Sequence, residues 1–496
     1  MEMFFSALAG VFDPSTFSMM LVGTVAGIIV GAIPGLSGST GIILLLPLIY
    51  KLDMVPTLVV MAGVFCGSMY GGAIPAILIQ TPGTPSAAAT VFDGYPLARA
   101  GKAGKAITVA LMASVTGGLV SGICLTLLSP LLAQWALKFQ APEYFALALF
   151  GLSLIASSGD NLIKGLISGF TGLFVSCIGV DVITGSARFT GGTTLLMGGV
   201  NVLPLLVGLF AMTQVLIDAN SKDPLPPQET GHGSFRLTKE EWKRIALPLA
   251  ITAVVGVVIG IIPGAGGAIA CFMGYEAVKR ISKHPEEFGH GSIEGLAAAE
   301  CSNNACTGGD MIPLITMGVP GDSITAVMLG VFMLVGIRPG PQLFTNHAFE
   351  MNVFFVSFML IQFVILIIGS LGTRMFIKIL KIPRSILMSA VMMLCFIGAY
   401  SLTNSTRDAW FALVFCIIGF VMKKFKFPAA PVVLGLVLGP MAEQNLNRTL
   451  LLHRGDISVL FTRPISLTLI IISVFSIGCC VVPAMVKFFK EGKVNA

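Results

Sequence analysis

Charge is what this sequence has least of. Only 11% of its 496 residues are Asp, Glu, Lys or Arg, against about 25% in a soluble domain, which leaves too little polar surface to keep a globule of this size dissolved. No basic patch is interleaved with aromatics, so nucleic acid is not an expected partner, and the net charge of +6 serves instead to bias membrane topology. The start, Met1-Glu2-Met3-Phe4-Phe5, lacks a basic n-region, and the first apolar run is too long for a signal-peptide core, so no cleavage is expected. No histidine stands at zinc-ligand spacing from any of the ten cysteines, which read as small packing residues, and no metal or cofactor is expected. Also missing are a nucleophile with its base, paired carboxylates at helical spacing, and a Walker-type phosphate loop. Gly264-Ala265-Gly266-Gly267 lacks the Lys-Ser/Thr ending and sits in a charge-free run, so ATP-driven transport by this chain is not expected.

What the chain has is apolar length. Hydrophobic residues make up 55% of it, and the stretches 14–50, 54–92, 106–137, 245–275, 351–373 and 465–486 contain no charged side chain at all. Each reaches the roughly 20 residues a spanning helix needs. Shorter candidates at 144–159, 162–180, 194–217, 323–337, 385–403, 409–422 and 427–442 predict an all-α polytopic membrane protein of roughly 10 to 14 membrane elements. The first two runs are too long for one straight helix: 37 residues at about 1.5 Å each exceed a hydrocarbon core of about 30 Å. Each must break or turn back.

Proline and glycine mark where. The first run contains Gly31-Ala32-Ile33-Pro34-Gly35-Leu36-Ser37-Gly38, and the second Gly71-Gly72-Ala73-Ile74-Pro75 followed by Gln80-Thr81-Pro82-Gly83-Thr84-Pro85-Ser86. These read as break points. The second half repeats them. Pro263-Gly264 follows Pro34-Gly35 at an offset of 229, and Ile312-Pro313 with Pro320-Gly321 follows Ile74-Pro75 with Pro82-Gly83 at 238. A weaker echo pairs Pro204-Leu205-Leu206-Val207-Gly208-Leu209 with Pro431-Val432-Val433-Leu434-Gly435-Leu436 at 227. The expected organisation is a first transmembrane repeat over 1–217, a charged, proline-rich extramembrane linker over 218–244, a second repeat over 245–464, and a C-terminal helix and tail over 465–496.

Charge also suggests orientation. Arg99, Lys102 and Lys105 follow the second break of the first half, where the second half offers only Arg338. Lys279, Arg280 and Lys283 follow the first break of the second half, where the first half has Lys51 and Asp53. If basic loops stay cytoplasmic, matched loops of opposite bias lie on opposite faces, which describes an inverted repeat.

Unwound backbone in a bilayer is tolerated only where it is buried in protein or lines a cavity, so the matched breaks are the expected site. Freed N–H groups suit a carboxylate, and freed carbonyls with hydroxyl and amide side chains suit a small cation. The candidate substrate residues are Pro34, Gly35, Ser37, Gly38, Thr81, Pro82, Gly83, Thr84, Ser86, Pro263, Gly264, Gly266, Asn303, Asn304, Pro320, Gly321, Asp322 and Ser323. Ser39, Thr40, Asn304 and Thr325 are candidates for a coupling cation, Na+ or H+. Glycine that serves close helix packing, and Ser or Thr bonded to its own helix, is the structural alternative for any one of them. Glu300 and Asp310 fit either a functional carboxylate at membrane depth or an interfacial helix end. Asp93, in Phe92-Asp93-Gly94-Tyr95-Pro96, reads as part of a turn closing the first-half site.

Taken together, Gly31 to Gly38, Gln80 to Thr90 and Phe92 to Pro96, with Pro263 to Gly267, His284-Pro285-Glu286-Glu287-Phe288-Gly289, Glu300 to Ala305, Gly318 to Asp322 and Gly336 to Pro341, resemble the large membrane subunit of tripartite tricarboxylate transporters, from about residue 15 to about 455. Cys301 and Cys306 depart from the small or polar residues expected beside the asparagine pair. The resemblance implies a multi-pass carrier of the bacterial inner membrane that imports small organic carboxylates by Na+ or H+ symport. Its implied partners are a small integral membrane subunit and a periplasmic solute-binding protein. A channel would need rings of like charge or a carbonyl filter, and a membrane-embedded enzyme a catalytic cluster; the sequence supplies neither.

Overall fold

The computed structural model describes residues 2–34, 36–136, 138–153, 162–181, 185–220, 237–379, 384–401, 405–475 and 477–478. Gly35, most of the expected linker, Cys479 and Cys480, and the last part of the expected C-terminal helix lie outside the described residues.

Helices follow one another along the chain. The first half carries α1 (Glu2–Val11), α2 (Pro14–Gly31), α3 (Gly38–Leu44), α4 (Leu46–Ile49), α5 (Met54–Ile79), α6 (Thr90–Leu97), α7 (Ala103–Ala136), α8 (Ala141–Ser153), α9 (Leu162–Ser176), α10 (Thr194–Met197), α11 (Val202–Leu206) and α12 (Thr213–Asn220). The second carries α13 (Lys239–Ile261), α14 (Gly266–Ile281), α15 (Ile293–Met317), α16 (Ser323–Leu334), α17 (Leu343–Asn346), α18 (Ala348–Ile379), α19 (Arg384–Ser401), α20 (Thr406–Lys424), α21 (Ala430–Leu452) and α22 (Val459–Thr462), then α23 (Pro464–Phe475). Among the described residues there is one short strand pair, β1 (Gly179–Val180) antiparallel to β2 (Ala187–Arg188). Among the described residues five helices are long and apolar enough to cross a membrane: Pro14–Gly31, Met54–Ile79, Thr90–Trp135, Lys239–Ile261 and Ala348–Leu371. The chain is an all-α polytopic membrane protein, as helices satisfy their own backbone where no water can.

Two compact units divide it, Met1–Ala133 with Gln214–Leu402, and Gln134–Thr213 with Thr403–Ala496. Each sequence half therefore gives its leading part to one unit and its trailing part to the other. In the larger unit the centre is α5 and α15, buried along nearly their whole length. α2 lies along α5, and α13 along α15. Outward faces remain apolar: Leu127 on α7, Leu247 and Val254 on α13 and Leu371 on α18 are all exposed, as lipid contact requires.

Polar caps set several helix starts. Asp13 accepts from the backbone N–H of Ser15 and Thr16 at 3.0 and 3.3 Å, and Thr238 forms a capping box with Glu241. α13 thus begins at Lys239, inside the stretch read as linker. In the smaller unit α21 packs against α8 and α9, and β-carbons at Gly172 and Gly435 would stand 1.9 and 2.3 Å from the carbonyl oxygens of Val432 and Gly169. Only residues without side chains permit this approach. The weaker echo has a counterpart here, for Gly208, matched to Gly435, lies as close to the Ala412 carbonyl, at 2.3 Å.

Candidate functional site

α2 stops at Gly31 and α3 starts at Gly38, with Ser37 at the cap; α13 stops at Ile261 and α14 starts at Gly266. The chain therefore unwinds at Pro34 and Pro263, as expected. The other two breaks lie later than the prolines suggest. Pro75 is inside α5 and Pro313 inside α15, and neither helix stops until a left-handed residue five positions on, Gln80 (φ 57°) and Gly318 (φ 72°). Each end is closed identically: Thr81 N–H donates to the Pro75 carbonyl at 3.4 Å, and Val319 N–H to that of Pro313 at 3.3 Å.

The correspondence extends to packing. β-Carbons at Gly27, Gly31 and Gly71 would lie 2.5, 2.3 and 2.4 Å from the carbonyl oxygens of Val64, Ser68 and Ile28. At the same offsets of 229 and 238, those at Gly256, Gly260 and Gly309 would lie 2.2, 2.5 and 2.6 Å from the carbonyl oxygens of Ser302, Cys306 and Val257. Crossing of α2 over α5 is thus reproduced, glycine for glycine, by α13 over α15. A further pair of contacts is exchanged between the halves. Gly38 lies against Ile324, and its equivalent Gly267 against Ser86, the equivalent of Ile324; both approaches are 2.9 Å from the β-carbon position. Each break is seated on the loop-and-helix start of the other half.

Around these seats gather buried polar groups. Asn303 is fully buried, neither of its side-chain polar atoms has a hydrogen-bond partner, and its oxygen lies against Gly267 beside Ser86. Ser39 Oγ, Thr84 Oγ1, Asn304 Oδ1 and Asp310 Oδ1 are likewise buried without partners. Such groups cost free energy unless something satisfies them. Other expected residues are already engaged. Ser37 Oγ accepts from Thr40 N–H at 3.4 Å, and Thr81 Oγ1 donates to the Ile79 carbonyl at 3.2 Å. Thr325 and Asp322 form a capping box at the start of α16. Gly83 N–H donates to the Gly72 carbonyl at 3.1 Å, and Gly264 N–H to the Gly321 carbonyl at 2.7 Å, so both Pro-Gly loops are tied to backbone. Pro34 and Pro320 are buried, whereas Pro82, Pro263 and Ser323 keep partial exposure.

Glu300 and Asp310 both lie within α15, fully buried, which removes the reading as an interfacial helix end. Glu300 accepts from Thr90 Oγ1, from Ser114 Oγ at 3.0 Å and from Asn304 Nδ2 at 3.5 Å. Ser114 escaped the sequence reading because one serine in the apolar run of α7 carries no local signal; only its partner distinguishes it. Asp93 belongs to helix α6 and not to a turn, with Pro96 accommodated in the helix. Its Oδ1 accepts from the backbone N–H of Gly289, Gly291 and Ser292 at 2.9, 2.9 and 2.8 Å. This fastens α6 to the start of α15.

At the same end of the unit, Lys105 pairs with Glu241, and Arg244 with Glu287 and with Glu294, the last at 2.6 Å. Lys102 and His290 line the same cleft. The basic stretch after α6 and the α14–α15 loop therefore lie together.

No solved structure matches this chain. A protein of Agrobacterium vitis described as an uncharacterized 52.8 kDa protein in the TAR-I ttuC' 3' region is 34% identical over 473 residues, 95% of this chain and 94% of its own length. Another from the same organism, described by its place in the TAR-II ttuC' 3' region, is 34% identical over 230 residues, 46% of this chain and 95% of its own. The tripartite tricarboxylate transporter TctA family matches residues 17–434. With that match across most of its length, and with matched helix breaks meeting over buried unpaired polar groups, the chain belongs to the TctA family of tripartite tricarboxylate transporters.

Proposed function

We propose that the protein imports small organic carboxylates across the bacterial inner membrane, driven by Na+ or H+, as the large subunit of a system that includes a small integral membrane subunit and a periplasmic solute-binding protein. Family membership supports a tricarboxylate transporter subunit; the rest is our reading of the breaks. One observation carries it. The amide of Asn303 is fully buried and unpaired where the N-terminus of α14 meets Ser86 of the other half. That N-terminus offers free N–H groups and the positive end of a helix dipole, and an amide and hydroxyls beside it supply donors, which together suit a carboxylate group. Ser39, Thr84 and Asn304 extend the set. Displacement of the broken-helix region against a scaffold would open the site alternately to the two sides, which is the alternating access a carrier needs. The basic loops gathered at one end of the larger unit support the inverted arrangement, since Lys102 and Arg280 were both expected on the cytoplasmic face.

The test is uptake of labelled citrate by cells carrying the complete system. Asn303→Ala is expected to lower uptake about tenfold or more, the scale of one lost buried hydrogen-bonding partner to a charged group, with the protein still in the membrane. Wild-type uptake by that variant would remove the site assignment.

A further inference from the structure

The two halves match in backbone at their second breaks but not in charge. Asp310 stands where the first half has Gly72, and Asp322 where it has Thr84, at the offset that brings Pro75 onto Pro313. In the first half this pair is neutral, with Thr84 Oγ1 2.4 Å from the β-carbon position of Gly72. In the second half both places hold a carboxyl group. Asp310 Oδ1 lies 2.4 Å from the β-carbon position of Gly321, the residue before Asp322.

Asp310 is fully buried, and its Oδ1 has no hydrogen-bond partner; its Oδ2 accepts from the thiol of Cys306 at 3.4 Å, a weak donor. Asp322 is partly buried and its Oδ1 accepts from Thr325 N–H at 2.8 Å and Thr325 Oγ1 at 2.7 Å. Neither α15 nor α16 contains a lysine, arginine or histidine. The elements packed here add little: α13 approaches Asp310 through Gly260, and among the described residues the titratable side chain in contact with the pair is Cys306 on α15. A carboxylate oxygen at membrane depth, without a donor and near a second carboxylate, demands a positive charge from outside the protein.

We propose that Asp310 and Asp322 together bind the monovalent positive charge that drives the cycle, a proton or an alkali cation, while the neutral equivalents in the first half are left to the carboxylate solute. This rests on the carrier reading and assigns its coupling site. It moves the site away from Ser39, Thr40, Asn304 and Thr325, and it gives Asp322 to the cation instead of the substrate. The partial exposure of Asp322 and full burial of Asp310 give the charge an order of passage, entering past Asp322 and ending on Asp310.

The experiment uses the full-length chain in nanodiscs, with thermal midpoints read against sodium chloride, with choline chloride as control, and against pH without sodium. Citrate is titrated in parallel. Expected for the wild type is stabilisation by sodium if the cation is alkali, or by falling pH if it is the proton. Asp310→Asn should weaken the half-effective concentration of that cation by about tenfold or more and leave the citrate response. Asp322→Asn, which keeps a capping side chain, serves if the first variant does not fold. A wild type indifferent to both cations, or variants that respond as the wild type does, would overturn the proposal. A wild type that responds to cations while neither citrate nor any other small carboxylate titrated in its place shifts the midpoint would instead overturn the carrier reading.

Discussion

Asp93 shows how a single side chain can fasten distant parts of this chain. Its one oxygen gathers three backbone N–H groups from residues 289–292, and hydrogen bonds to a charged acceptor are the stronger kind. Asp93→Ala leaves three N–H groups without an acceptor and should cost about 3 kcal/mol, whereas Asp93→Asn, which keeps an acceptor oxygen, should cost about half that or less. Thermal unfolding of the two purified variants checks the ranking, and equal midpoints would refute it. At this scale the sequence was informative about which residues matter and poor about why. Asp93 stood out as turn chemistry, yet it is helical, because its partners lie nearly two hundred positions away and leave no local trace. Asn303 and Asn304 stood out as polar residues in an apolar stretch, and both are buried in α15. Glu300 has a similar logic: Thr90→Val together with Ser114→Ala removes two of its donors, and should lower the thermal midpoint more than either change alone, in a double-mutant comparison.

Among elements, the pairs α2 with α5 and α13 with α15 carry the clearest regularity. Glycines at matched positions let one helix lie on the backbone of the next, and in lipid such contact replaces the hydrophobic drive that water would supply. Gly27→Val and Gly256→Val each place a branched side chain where a carbonyl oxygen stands. Both should destabilise by about 1–3 kcal/mol or more, and by similar amounts, because the crossings are the same. Folded yield in detergent, compared by size-exclusion chromatography, reads this out, and tolerance of one but not the other would show that the crossings are not equivalent. Break positions were legible to within a few residues. Pro34 and Pro263 mark true breaks, but Pro75 and Pro313 do not end their helices. A proline removes one N–H and crowds the carbonyl four residues back, a local cost that a helix enclosed by protein can absorb; the stop is set by the left-handed residue that follows, a backbone state that Gln80 does not announce.

For the molecule as a whole, the division of each sequence half between two compact units was not legible beforehand. A repeat is a statement about similarity along the chain, while compactness depends on which surfaces meet, and nothing local records that. Charge bias did anticipate that residues near Lys102 would lie with the loop that follows Arg280, and both are at one end of the larger unit. In a cysteine-free background, Lys102→Cys and Arg280→Cys should react with an impermeant thiol reagent from the cytoplasmic side only, and Lys51→Cys and Arg338→Cys from the opposite side only. Labelling of all four from a single face would exclude the inverted arrangement.

The exchange of seats, with Gly38 on Ile324 and Gly267 on Ser86, bears on how the protein is made. During synthesis the N-terminal half emerges first, with one break lacking its support and the loop at Ser86 unoccupied. Nothing encoded before α14 and α16 can fill either place. Assembly of the binding region is therefore a late event, and a ribosome that stops short of residue 323 releases a chain that has inserted most of its helices yet holds only half of a socket.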